Sequence, residues 1–315
     1  MELTGNTFFL AWEPELMEWL QVNLGKGAIR TISFLSSFGE EIALVLILGI
    51  LYWWIDKKLG KTVGLSLLAG LVWNPLVKNI FLRRRPYMDH AGIQILRVVA
   101  PEADPLDIAA QGYSFPSGHS TNAAAAYGSL ALALKKKWVS VLAILLPLLV
   151  GFSRVVVGAH YPTDVAVGLL LGAGAMLLIP FLEKRLKNDL VLYGILLATA
   201  LPGFFYCRSQ DYFDGMGMLI GFMGGVLLET RKVRFENTRS ALFGILRLAG
   251  GFLCYFAVNL ALKSVISRLG AADGSMTELL LRTLRYALVT FVCFGVYPMV
   301  FRPAEKLLAG KKTKA

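Results

Sequence analysis

Three histidines and three cysteines are all that the 315 residues hold, and charged side chains are scarce too, at 17%. A water-facing domain usually carries about 25% charged residues, so this chain lacks the groups needed to cover a soluble surface. Cys207, Cys254 and Cys293 lie far apart with no CxxC spacing; this argues against a thiolate metal site and makes them core residues. No cluster of carboxylates marks a magnesium site, and neither metal nor other cofactor is expected. The period-two alternation of a membrane-spanning barrel is missing, which leaves helices as the spanning element. No basic residue precedes the first apolar stretch, so a signal peptide is not expected.

Apolar residues are what the chain has in excess: 56% are hydrophobic and the mean hydropathy is +0.60. Runs at 138–152, 165–182, 190–206, 241–262 and 286–301 each supply most of the ~20 residues that cross a bilayer as a helix. The expected fold is an all-α polytopic transmembrane bundle of about nine spans, near 37–55, 62–82, 119–134, 138–157, 163–182, 190–206, 215–230, 241–262 and 283–301. Ahead of them Glu13, Glu15 and Glu18 interrupt Phe8, Phe9, Leu10, Trp12, Leu16, Trp19 and Leu20, so residues 1–34 are expected to form an amphipathic segment lying in the interface.

The net charge of +11 is distributed as a topology signal. With alternate crossing, Lys57, Lys58 and Lys61 share a side with Lys135–Lys137, with Lys184, Arg185 and Lys187, and with Arg231, Lys232, Arg234 and Arg239. The tail residues Arg302, Lys306, Lys311, Lys312 and Lys314 fall there as well. Basic loops mark the cytoplasmic side. The N-terminus is therefore expected outside and the basic tail at 304–315 inside, and no nucleic-acid partner is implied. The absence of an Asn-x-Ser/Thr acceptor or an ER-retention ending favours a bacterial inner membrane.

Three strings carry the chemistry: Lys78-x6-Arg85-Pro86, Pro116-Ser117-Gly118-His119 and Ser153-Arg154-x5-His160-x3-Asp164. A topology drawn without them puts all three at the extracytoplasmic ends of the helices. His160 and Asp164 are four apart, so a helix beginning by His160 would set them on one face. The carboxylate can then accept the proton of one ring nitrogen and leave the other as nucleophile. Pro116-Ser117-Gly118 ahead of a helix start is a cradle for an oxyanion. Lys78, Arg85 and Arg154 can neutralise phosphoryl oxygens, and His119 can protonate a leaving group. His160 is expected at an exposed interface position, His90 as an ordinary loop residue. Arg83, Arg84 and Arg85 taken alone would be headgroup anchors.

These strings resemble the tripartite signature of the type-2 phosphatidic acid phosphatase superfamily, with every defining position present over roughly residues 35–185. The resemblance implies a metal-independent phosphatase in which His160 forms a phosphohistidine, Asp164 orients it and His119 protonates the departing group. Lys78, Arg85, Ser117, Gly118 and Arg154 would hold the phosphoryl group. It implies a catalytic core at 35–188, followed by additional helices at 189–303 that the usual bacterial members lack. Nine spans with an outside N-terminus are similar in layout to glucose-6-phosphatase, and the added helices to sphingosine-1-phosphate phosphatases.

A loop of about 30 residues between Pro86 and Pro116, with Asp89, Glu102, Asp104 and Asp107, is long enough to cover a site mouth or to be a plain connector. Gly217, Gly221, Gly224 and Gly225, with Gly250 and Gly251, predict close helix packing. Glu40 and Glu41 are expected at the interface, within possible reach of the site, and Arg247 as a snorkelling residue.

The expected partner is an amphiphilic phosphorylated lipid in the membrane: phosphatidic acid, phosphatidylglycerol phosphate, an isoprenoid diphosphate or a sphingoid-base phosphate. A homo-oligomer is compatible with the sequence and not specified by it. The alternatives are a phosphatase for soluble esters and a non-catalytic lipid-phosphate transporter or binding protein. A transporter needs cations but no nucleophile, so the His119, His160 and Asp164 set argues against it. A vanadium haloperoxidase, which shares this type of pocket, is disfavoured by the membrane character of the chain.

Overall fold

A computed structural model describes residues 4–312, with side chains except those of Glu41 and of 307–312. In order the helices are α1 (Trp12–Asn23), α2 (Lys26–Leu35), α3 (Glu41–Gly49), α4 (Lys57–Phe81), α5 (Pro86–Asp89), α6 (Ile108–Gln111), α7 (Gly118–Leu134) and α8 (Lys137–Val156). They continue as α9 (Pro162–Leu186), α10 (Asp189–Ala200), α11 (Gly203–Tyr206), α12 (Gln210–Leu228), α13 (Ala241–Ser267), α14 (Met276–Phe291) and α15 (Phe301–Lys312). Among the described residues there is no sheet, only an isolated bridge between Asn6 and Arg83.

Among the described residues, seven helical stretches of at least 18 residues are apolar enough to cross a membrane: Lys57–Phe81, Lys137–Val156, Pro162–Leu186, Asp189–Tyr206, Gln210–Val233, Ala241–Ser267 and Met276–Lys306. The pair Lys26–Gly39 and Ile42–Ile55, bent by 48°, makes an eighth if taken as one span. The expected span at 119–134 is α7, whose 17 residues stand at the short end of the roughly 17–25 that cross a bilayer. Leu170, Leu253 and Leu260 are about 70% exposed, and such apolar faces suit a lipid solvent. The chain is an all-α polytopic membrane bundle.

Contacts divide it into two compact units, Met1–Leu44 with Ala69–Ser209, and Val45–Leu68 with Gln210–Ala315. In the first, α7 and α9 pack through small residues. Ala123, Ala124, Ala125 and Ala126 of α7 are buried, and a side chain at Gly168 or Gly172 of α9 would strike the carbonyl of Ser117 or Thr121. Backbone therefore lies against backbone, which brings the start of α9 beside the Pro-Ser-Gly turn. Ser117 caps α7 by accepting from the Ser120 N–H at 3.4 Å, and Pro162 at the first position starts α9.

The N-terminal segment is more than an interfacial strip. Met17 and Leu20 of α1 are buried with Ile93, Val155, Val156, Tyr161 and Val165, and burial of each contributes about 1.5–3 kcal/mol. Trp12, Trp19 and Val22 on its other face are exposed.

In the second unit, Gly217 and Gly221 of α12 lie against the α14 carbonyls of Thr283 and Ala287, and Gly225 against Gly295. That is the packing role predicted for the glycine face. Arg247, expected to snorkel, is buried and donates to Trp53 O at 2.8 Å, Glu236 O at 2.9 Å and Glu305 Oε1 at 2.6 Å. Of the tail expected at 304–315, residues 313–315 and the side chains of Lys311 and Lys312 lie outside the described residues, as does the side chain of Glu41.

Candidate active site

The three motifs meet in the first unit because four helices have an end there: α4 just past Lys78, α7 at its start, α8 just past Arg154 and α9 at its start. The second and third motifs are joined by a hydrogen bond from the Ser117 N–H to the Asp164 carbonyl at 2.9 Å. The first motif is tied to the third by Arg85. Its guanidinium donates to the carbonyls of Gln111 (2.8 and 3.1 Å), Gly112 (3.0 Å) and Ala159 (3.0 Å), and its Nη1 stands 3.5 Å from His160 Nε2.

His160 sits ahead of α9 rather than on it, because the helix begins at Pro162, two residues later. The pairing with Asp164 survives through the cap. Asp164 Oδ2 accepts from the Tyr161 N–H at 2.7 Å and lies 3.6 Å from His160 Nδ1. The ring is also buried, with 3% exposed, contrary to the exposed position expected for it, because the 87–115 loop and α1 pack around this corner. With the carboxylate facing Nδ1, the proton belongs there and Nε2 carries the lone pair toward Arg85.

Lys78, Arg85 and Arg154 are all buried. Burial first, then the charges of Arg85, Arg154, Lys78 and His119, hold the His160 imidazole well below its ordinary pKa of 6.5. Three cations and a second histidine acting on one ring is what converging motifs require. Arg154 donates to Ser36 Oγ at 3.4 Å, and Ser36 pairs with Ser153 Oγ at 2.7 Å, so the motif serine anchors the segment Ser36–Gly39. His119 is the second residue of α7 and half-buried. The Ser117 N–H is engaged by Asp164, so the N–H groups of Gly118 and His119, which have no intrahelical acceptor at a helix start, are the ones positioned for an anion.

Several residues that the spacing does not mark also belong to this site. Arg83 is not a headgroup anchor: it is 1% exposed and donates to Asp164 Oδ1 at 2.7 Å, Thr163 Oγ1 at 2.8 Å and Glu13 Oε2 at 3.1 Å. Its guanidinium lies 3.9 Å from the Tyr161 ring centre. Glu13, seventy residues away in sequence, is fully buried beside it. Gln111 fastens the 87–115 loop by accepting from Val99 N and Ala100 N while its carbonyl holds Arg85, so the loop forms part of the site's wall. The loop's acids do local work: Asp89 pairs with Arg84 at 2.8 Å, and Asp104 and Asp107 cap turns at Leu106 and Ala109. Glu40 pairs with Arg97, and both groups act electrostatically on Arg154. His90 packs its ring on Phe9 and Tyr161, as a structural residue would.

Residues 59–187 match the PAP2 superfamily, and residues 213–310 match the PAP2 superfamily phosphatase, transmembrane extension. The undecaprenyl-diphosphatase of Sulfolobus acidocaldarius is 29% identical over 190 residues, 60% of this chain and 84% of that protein. The decaprenylphosphoryl-5-phosphoribose phosphatase of Mycobacterium tuberculosis is 32% identical over 156 residues, 47% of this chain and 76% of that protein. The chain spans about half the length of other curated relatives, 48% and 56% of two from Bacillus subtilis. Among solved structures, the transmembrane PAP2-type phosphatidylglycerolphosphate phosphatase of Bacillus subtilis aligns with a TM-score of 0.44 at 24% identity, over 56% of this chain and 86% of that one. The chain belongs to the PAP2 superfamily, and it is a membrane phosphatase.

Proposed function

We propose that the protein hydrolyses a phosphate monoester or diphosphate carried on a lipid, in two steps through a phosphohistidine at His160. The observation that carries this reading is the seating of His160 between Asp164 on Nδ1 and Arg85 on Nε2. Nε2 attacks phosphorus and the bond to the leaving oxygen breaks, with His119 giving that oxygen its proton. His119 then takes a proton from water as the water attacks phosphorus, and the P–N electron pair returns to Nε2. Lys78, Arg85, Arg154, Ser117 and Gly118 hold the phosphoryl oxygens, so charge is met by fixed cations and backbone dipoles throughout. Asp164 stabilises the ring while it carries the phosphoryl group.

The distribution of basic loops supports an extracytoplasmic site, an outside N-terminus and a cytoplasmic C-terminus in a bacterial inner membrane. We take residues 35–188 as the catalytic core, 1–34 as the segment before it, 189–303 as added helices and 304–315 as the tail. Relatives that act on undecaprenyl and decaprenyl carriers support a substrate whose tail stays in the bilayer while its phosphate reaches His160. A panel in detergent, comparing polyprenyl diphosphate, phosphatidic acid and phosphatidylglycerol phosphate with a short water-soluble ester, tests the substrate class. The lipids should be turned over with the higher kcat/KM; a preference for the soluble ester would reject a lipid substrate. Orthovanadate, which mimics five-coordinate phosphorus, should inhibit, and turnover should survive EDTA. Loss of turnover on chelation alone would overturn the metal-independent mechanism.

The depressed His160 pKa predicts how the rate depends on pH. The nucleophile is neutral well below pH 6.5, so the acid limb of kcat/KM, which reports the free enzyme, should lie below that value. Lys78→Met removes a charge that disfavours the imidazolium. It should raise the His160 pKa and move the limb upward, toward 6.5. A limb that stays in place or moves down would contradict the assignment.

A further inference from the structure

Glu13 has an environment that an interfacial helix does not require. It is fully buried in α1, and both of its oxygens are in use. Oε1 accepts from the Thr163 N–H at 2.8 Å and the Thr163 hydroxyl at 2.7 Å; Oε2 accepts from the Leu10 N–H at 2.8 Å and from Arg83 Nη2 at 3.1 Å. Arg83 spends its other terminal nitrogen on Thr163 and on Asp164 Oδ1. One guanidinium thus bridges two carboxylates, and the second of them is the one that faces His160 Nδ1. A buried charge is stable only when paired and fully hydrogen-bonded. Here the glutamate of the N-terminal helix is the acceptor for Nη2 of the buried guanidinium.

We infer that Glu13 and Arg83 are positioning residues for the reaction, acting through Asp164. The inference rests on the reading of His160 as nucleophile. Glu13 fixes the Arg83 fork, the fork fixes Oδ1 of Asp164, and Oδ2 is left to the Tyr161 N–H and the His160 ring. Glu13 also compensates the guanidinium charge, so Arg83 does not draw Asp164's electron density wholly away from Nδ1. Thr163, two residues into α9 and beside Asp164, is held by the same carboxylate, so α1 sets the first turn of α9 from two directions. The segment 1–34 is in this account a part of the catalytic apparatus.

The test is a double-substitution comparison on the full chain in detergent, with active protein counted by stoichiometric phosphoenzyme and folding followed by thermal melting. Glu13→Gln keeps the shape and removes the charge. It should lower kcat by on the order of 10- to 100-fold, the scale of a small misplacement of a reacting group, and leave KM within about twofold. In an Asp164→Asn background the same change should alter kcat by less than about twofold, because residues that act through one another are non-additive. A merely structural glutamate would give equal factors in both backgrounds, and either that result or no change in the wild-type background would overturn the inference. If Glu13→Gln does not accumulate as folded protein, Arg83→Lys carries the same comparison, since it keeps the charge and loses the fork. His160→Ala, run alongside, separates the two ideas: activity retained there sinks the nucleophile, whereas additive Glu13 effects with His160→Ala inactive sink only the positioning role.

Discussion

His160→Ala should lose turnover by on the order of 10^4-fold or more, the scale seen when a hydrolase loses its nucleophile. The size follows from the role: the other groups around the ring are three cations, a carboxylate turned toward Nδ1, and His119, which serves the leaving oxygen and not the attack. Substrate binding should change little, since Lys78, Arg85 and Arg154 remain. Inorganic phosphate or vanadate should therefore still bind to the variant, read as competition against a fluorescent phosphate analogue. The ring is buried, so the substitution leaves a small cavity, and a melting curve in detergent should establish that the protein is folded. Hydrolysis within tenfold of wild type in that folded variant would remove His160 from the mechanism.

His119→Ala should show a different pattern. A general acid contributes about 10^2- to 10^4-fold, and it does so in proportion to how badly the leaving oxygen needs a proton. The variant should lose a factor in that range on an alkyl phosphate. On a nitrophenyl phosphate, whose leaving oxygen departs as a stable anion, the loss should be under about tenfold; both losses are read as kcat/KM, which ends at departure of the leaving group and so excludes the later water step that also uses His119. The ratio of the two losses is the measurement, and it is immune to differences in the amount of folded enzyme. Equal losses on both esters would show that His119 binds or packs without donating a proton.

Much of this site could be read from spacing because its residues sit at fixed offsets on a few helix ends. Lys78, Arg85, His119, Arg154, His160 and Asp164 each fall at a helix terminus or in the turn next to one, so a topology drawn from hydropathy was enough to collect them. The burial of His160 was not legible, because it depends on α1 and on the loop that holds Gln111 against Arg85. Glu13 and Arg83 were not legible for a related reason. Glu13 reads as one of three acids spoiling an apolar stretch, and only the bridge to Arg83 distinguishes it from Glu15 and Glu18. Arg83 is hidden among three consecutive arginines whose side chains take separate directions: into the protein, to Asp89 and to the His160 pocket. Pattern alone does not say which of adjacent like charges is buried. The helices follow the apolar runs closely, and the alanine-rich α7 is apolar enough to be read as a span while its small residues also serve close contact with α9.

The central claim is that phosphorus becomes bonded to His160. Rapid acid-free quenching of the enzyme during turnover of a 32P-labelled lipid phosphate, followed by peptide mapping, tests it directly. The expected result is an acid-labile, base-stable label on the peptide that contains His160, absent from His160→Ala and accumulating when His119 is replaced and a nitrophenyl ester is the donor. Steady turnover with no labelled protein at any time, or label on a different residue, would contradict it.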